Sequence, residues 1–147
     1  MIAEEYQIAS PQTRAQLWAN LLRLETLGEW SAVGRCLSTD TDVLAQAQSY
    51  LCVLQHRDEE LDASIVVTNL DPPNEFKLRT ASAMAVVNER VVLEPDGRGT
   101  LVRYTAAATS SMFGPAVTVW LHDHVALVQE RLTRFVQRTD THAADES

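Results

Sequence analysis

Three side chains able to move protons fall among apolar neighbours in this sequence: Glu89, Tyr104 and His124. Glu89 belongs to a run in which Asn88, Arg90 and Glu94 alternate outward, so Val87, Glu89, Val91 and Leu93 turn inward. A desolvated carboxyl there can exchange protons or anchor the polar end of a ligand. A bulge would flip the parity and leave Glu89 on the surface. Tyr104 alternates with outward Arg103 and Thr105, which places Val102, Tyr104, Ala106, Ala108 and Ser110 on the inner face. Its hydroxyl can donate to a ligand carbonyl, or the ring can simply pack with the hydroxyl at a rim. His124 is the strongly polar residue in an apolar helical stripe beside Val117, Leu121 and Val128. Imidazole titrates near neutrality, so beside a carboxylate or phenol it suits general acid–base work. The commoner use of such a histidine is a core hydrogen bond to a backbone carbonyl or to Tyr104.

Other chemistry is harder to place. His122 and His124 project about 200° apart on a helix and cannot share a metal. No GxSxG, P-loop or GxGxxG motif occurs, and Gly97-Arg98-Gly99 is a hairpin turn, so neither cofactor nor metal is expected. His56 with Asp58, Glu59 and Glu60 forms a polar hairpin tip, either a solvated turn or the lip of a cavity. The 2 cysteines, Cys36 and Cys52, lie in apolar stretches outside any CxxC pattern and read as buried thiols.

The elements that carry these residues follow from periodicity and punctuation. Glu4 to Ile8 can pair as a strand, and Ser10-Pro11 supplies an N-cap and a first helical residue. Leu17, Trp18, Leu21 and Leu22 then keep helical spacing, and Leu24, Leu27 and Gly28 suggest a second short turn closed by glycine before Trp30. Strands are expected near Ala32–Leu37, Ala45–Gln55, Leu61–Leu70, Phe76–Ser82, Ala85–Glu94 and Thr100–Ser110, an antiparallel meander. Asp71-Pro72-Pro73-Asn74 and Pro95-Asp96-Gly97-Arg98-Gly99 are its turns. From Gly114-Pro115 to Arg138, Val117, Leu121, Val125, Val128, Leu132, Phe135 and Val136 form one stripe of a long amphipathic helix.

With 147 residues and 46% hydrophobic content, the chain can bury a core without disulfides or metals. One domain over residues 1–138 is expected, followed by a polar, disordered tail at 139–147. The start has no basic and apolar signal pattern, which points to a reducing cytoplasm. No stretch approaches the roughly 18 apolar residues of a membrane span. A net charge of −8 argues against nucleic acid as a partner. Of the 12 basic residues only Lys77 is lysine, a bias that fits a GC-rich bacterial genome.

The ordered set Ser10-Pro11, Trp18, Trp30, Leu70-Asp71-Pro72-Pro73-Asn74-Glu75-Phe76 and Leu93-Glu94-Pro95-Asp96-Gly97-Arg98-Gly99-Thr100 spans the chain. It resembles the START-like or Bet v 1-like (SRPBCC) superfamily, in its bacterial polyketide cyclase/dehydrase branch. The resemblance implies an α+β helix-grip fold, in which a curved antiparallel sheet wraps a long C-terminal helix and encloses an apolar cavity. Its expected lining is Trp30, Phe76, Leu78, Thr80, Val87, Val91, Val102, Ala106, Trp120, Leu121 and Val128, with His124, Glu89 and Tyr104 as candidate catalytic groups. The implied partner is an apolar small molecule, polyketide-like or lipid-like. Members of that superfamily include enzymes and carriers, so a cyclase or dehydratase and a non-catalytic carrier both remain open. A weaker third reading is an interaction module that uses the sheet exterior.

Overall fold

The structure, a computed structural model, describes residues 2–37, 43–109 and 115–138. In chain order the elements are β1 (Ile2–Ser10), α1 (Arg14–Leu21), a 3-10 turn (Leu24–Thr26), α2 (Leu27–Trp30), β2 (Val33–Cys36), β3 (Ser49–His56), β4 (Glu59–Asp71), β5 (Glu75–Ser82), β6 (Val86–Asp96), β7 (Gly99–Ala108) and α3 (Pro115–Val136). The strands form one seven-stranded sheet, ordered β1-β7-β6-β5-β4-β3-β2. Every neighbouring pair is antiparallel. Because β1 pairs with β7, the first and last strands lie together at one side of the sheet, and α1 and α2 carry the chain across to β2 at the other. The 22-residue α3 then packs against α2, β1 and β7.

Strand alternation sorts the faces as the sequence pattern predicts. Val87, Glu89, Val91 and Leu93 of β6 are buried, as are Phe76, Leu78 and Thr80 of β5 and Val102, Tyr104, Ala106 and Ala108 of β7. From α3, Val117, Leu121, Val125, Val128, Leu132, Phe135 and Val136 close over this face. Each large aliphatic side chain so buried contributes about 1.5–3 kcal/mol relative to exposure. Bulges interrupt the register between Val33 and Arg35 and between Val67 and Asn69. Neither shifts the parity of β6, and Glu89 stays inward.

Several boundaries differ from the sequence expectation. Ser10 is not a helix cap: it ends β1, paired with Thr100, and its hydroxyl donates to the Val136 carbonyl at the end of α3. The helix starts at Arg14, because Thr13 and Gln16 complete a reciprocal capping box that satisfies two otherwise unpaired amides. Gly28 lies inside α2 and does not close it. Residues Ala45 to Gln48 form a turn rather than the start of β3, with Ala47 at φ 67° and its amide bound to the Val67 carbonyl. Glu59 and Glu60 belong to β4, so the β3–β4 tip shrinks to Arg57-Asp58. The expectations for Ser110, Gly114 and the tail at 139–147 lie outside the described residues.

The two glycines of the β6–β7 hairpin do different work. Gly97 turns with φ 61° and has open space around it. At Gly99 a Cβ would overlap the Ser10 carbonyl oxygen and crowd Pro11 Cα. Urea melts should show Gly97→Ala costing about 1 kcal/mol and Gly99→Ala about 3 kcal/mol, because β1 must move away from β7. Equal costs would mean that the β1–β7 approach is not tight.

Candidate functional site

Glu89 faces Leu78 of β5 on one side and Ala106 of β7 on the other. Tyr104, opposite Val91, is its diagonal neighbour on β7, within reach of a long side chain. The Tyr104 hydroxyl donates to Glu89 Oε2 in a short contact, and both residues are buried. A hydrogen bond to a carboxylate is about twice as strong as a neutral one, and it meets part of the cost of placing a carboxyl in this core. From α3, His124 brings Nε2 to 3.7 Å from the same oxygen, beyond hydrogen-bond reach. Tyr6 of β1, opposite Tyr104, places its ring 5.0 Å from the Tyr104 ring.

Burial, and then the nearby Glu89 charge, push both phenols well above the ordinary tyrosine range. They therefore remain protonated donors at physiological pH. Outward along α3, the Trp120 indole stacks on His124 at 5.2 Å and on His56 at 5.5 Å. Burial lowers the pKa of His56, with Arg57 and His124 acting in the same sense against Asp123 and Glu59. This aromatic column separates the Glu89 cluster from an outer groove of about 300 Å³ lined by Gln55, His56, Arg57, Asp123, Ala126, Leu127 and Glu130. The Arg57 guanidinium bonds Asp123 at 2.6 Å and ties the β3–β4 tip to α3.

Hydrogen-bonding capacity in this cluster is not used up. Tyr6 Oη, Trp120 Nε1 and His124 Nε2 are buried side-chain atoms without a hydrogen-bond partner among the described residues. Leaving such groups unmatched costs about 1–3 kcal/mol each, a cost that a polar group of a ligand would relieve. Among the described residues no cluster of three or more His, Cys, Asp or Glu side chains could hold a metal ion.

The structure brings Glu89, Tyr104 and His124 together. The expected lining residues also face inward, but they are packed against one another: Trp30, Phe76, Leu78, Thr80, Val87, Val91, Val102, Ala106, Trp120, Leu121 and Val128 are all buried. Phe76 of β5, opposite Val91, forms an edge-on aromatic group with Trp18 and Trp30, and the Trp30 indole donates to the Leu21 carbonyl. His122 is exposed and contacts Glu4. Two members of the cluster escaped the sequence reading. Tyr6 was readable, since Glu4, Tyr6, Ile8 and Ser10 alternate with outward residues; for His56 the sequence offered a cavity lip or a solvated turn, and its stack on Trp120 was not readable from its polar neighbours.

No family profile matches the chain, and neither does any curated protein sequence. Solved structures do match. Protein CV1439 from Chromobacterium violaceum superimposes with a TM-score of 0.71 at 10% identity, covering 93% of this chain and 98% of that one. The structure of Ara h 8.0201 gives 0.66 at 10% identity, covering 92% of this chain and 97% of that one. The chain has the START-like/Bet v 1-like helix-grip fold. DynU16, a protein of the dynemicin biosynthetic locus, shows the same fold with a TM-score of 0.62 at 12% identity; the match covers 95% of this chain and 48% of that one. In this helix grip, no helix among the described residues is long and apolar enough to cross a membrane.

Tyr104 and Tyr6 make opposite predictions. Tyr104→Phe removes the donor to a buried carboxylate and should cost about 3 kcal/mol in denaturant melts. Tyr6→Phe removes an unpartnered hydroxyl and should be neutral or stabilising. In alkali, unfolded tyrosines ionise near about pH 10 while these two stay protonated in the fold. The folded state then binds more protons, so stability falls as pH rises above that value. A double Phe variant should show a shallower loss; an unchanged slope would contradict the assignment.

Proposed function

We propose that this protein binds an apolar small molecule, polyketide-like or lipid-like, between the sheet and α3, with one polar end of the ligand at Glu89. The observation that carries this reading is the set of buried, unpartnered polar atoms of Tyr6, Trp120 and His124 around a carboxylate otherwise enclosed by apolar residues. Ligand sites combine an apolar wall with a few polar groups that fix orientation. Among the described residues the inner-face side chains are buried, so a ligand that reaches Glu89 displaces α3 or Trp120 from them. The fold shared with DynU16 and Ara h 8.0201 is compatible with such a role.

Native mass spectrometry of freshly purified protein tests this directly, followed by thermal-shift titration with fatty acids, sterols and aromatic polyketides. A copurifying apolar molecule, and a Tm that rises with its concentration, are expected. Glu89→Gln should weaken binding of a hydroxyl- or amine-bearing ligand about tenfold, equivalent to about 1.4 kcal/mol. It should leave analogues lacking the polar group unchanged. No binding across the panel would overturn the reading.

A catalytic version rests on the His124–Glu89 separation of 3.7 Å with Tyr104 as a fixed donor, an arrangement suited to proton transfer at carbon during cyclisation or dehydration. If the protein is such a cyclase or dehydratase, His124→Ala and Glu89→Gln should each lower kcat about 10²–10⁴-fold. A carrier would release its ligand chemically unchanged in every variant.

A further inference from the structure

The β2–β3 edge holds a second cluster of reactive side chains, remote from Glu89. Cys36 and Cys52 are direct cross-strand partners, with their sulfurs 2.9 Å apart. One position along, the Leu37 amide donates to the Leu51 carbonyl at 2.7 Å. Hydrogen-bonded and non-hydrogen-bonded pairs alternate along an antiparallel ladder, so Cys36 and Cys52 occupy a non-hydrogen-bonded pair, where facing Cα atoms come within about 4.5 Å. That spacing falls in the range a disulfide spans, and the two side chains already point at each other. The bulge at Gly34 sets this register: without it Cys36 would not face Cys52.

We infer that Cys36 and Cys52 form a reversible thiol–disulfide site that reacts with peroxide. The two thiols differ as an attacking and a resolving cysteine should. Cys36 is half-buried, whereas Cys52 is buried. The hydrogen bond from Cys52 lowers the pKa of Cys36 against the effect of burial, and that of Cys52 is raised. The Cys36 thiolate attacks one oxygen of hydrogen peroxide, the O–O bond breaks, and hydroxide leaves, giving Cys36 sulfenic acid. The Cys52 sulfur then attacks the sulfenic sulfur, forming the S–S bond. The departing hydroxide takes the Cys52 proton as water. Overall two thiols are oxidised and one peroxide is reduced to two waters.

The bond would staple the four-residue edge strand β2 to β3. The chain leading into that strand also anchors α3, because the Arg131 guanidinium donates to the carbonyls of Ser31 and Val33 at 2.9 and 3.1 Å. Oxidation therefore stiffens the sheet edge whose entry segment Arg131 of α3 holds.

The test treats the full chain with one equivalent of hydrogen peroxide and maps peptides without reduction. Expected are a Cys36–Cys52 linked peptide, loss of two hydrogens in intact mass, reversal by dithiothreitol, a raised Tm and slower amide exchange in β2. Cys52→Ala should stop at a Cys36 sulfenic acid that dimedone traps, and should slow iodoacetamide labelling of Cys36 about tenfold. Cys36→Ser should leave Cys52 unreacted. The inference is overturned if both thiols survive peroxide in the wild type, if Cys36 proceeds to sulfinic acid with Cys52 still free, or if disulfides form only between chains.

Discussion

A carboxylate enclosed by apolar side chains is unstable unless something holds it, and Glu89 imposes that constraint on the centre of this fold. The holding group is Tyr104, which donates to it from the neighbouring strand. For the pair to meet, β6 and β7 must keep their register without a bulge, Ala106 must stay small opposite Glu89, and α3 must exclude water from above. Sheet curvature, strand parity and helix position thus all answer to one buried polar contact. Around it, His124, Tyr6 and Trp120 carry buried polar atoms unmatched among the described residues. Purely structural cores rarely tolerate such groups together, whereas binding sites use them.

The grip on α3 differs between its ends. At the C-terminus the last carbonyls, which no helical amide can satisfy, receive side chains from the β1–α1 connection: Ser10 donates to Val136, and Gln12 to Phe135, Val136 and Arg138. Arg131 adds its bonds to Ser31 and Val33, and Arg138 pairs with Glu29. Toward the N-terminus the polar ties among the described residues are the Trp120 stack, the Arg57–Asp123 ion pair and the Glu4–His122 contact, whose side chains are partly or largely exposed. Exposed pairs are worth about 0–1 kcal/mol. Among the described residues the helix is thus tied by buried hydrogen bonds at its C-terminal end and, beside Glu89, by apolar packing and exposed contacts.

Much of this was legible in the sequence because parity and periodicity are local. Val87, Glu89, Val91 and Leu93 turn inward on alternation alone, and the α3 stripe places His124 over them. Where tertiary contacts compete with local rules, the sequence reading failed. Ser10-Pro11 satisfies every local requirement of a helix start, yet sheet pairing with Thr100 and the bond to Val136 take Ser10 elsewhere. His56 sits among turn residues, and only the packing of Trp120 makes it part of the site. The pairing of Cys36 with Cys52 depends on a bulge and on register between strands, neither of which spacing along the chain encodes.

A crystal structure of the protein with a copurified or soaked apolar ligand tests the central claim most directly. The account predicts the body of the ligand between α3 and the inner faces of β5, β6 and β7. Its polar atom should lie within hydrogen-bond distance of Glu89, His124, Tyr6 or Trp120, with α3 shifted most at its N-terminal half. A ligand confined to the outer groove or the sheet exterior, with the Glu89 cluster unchanged, would contradict it.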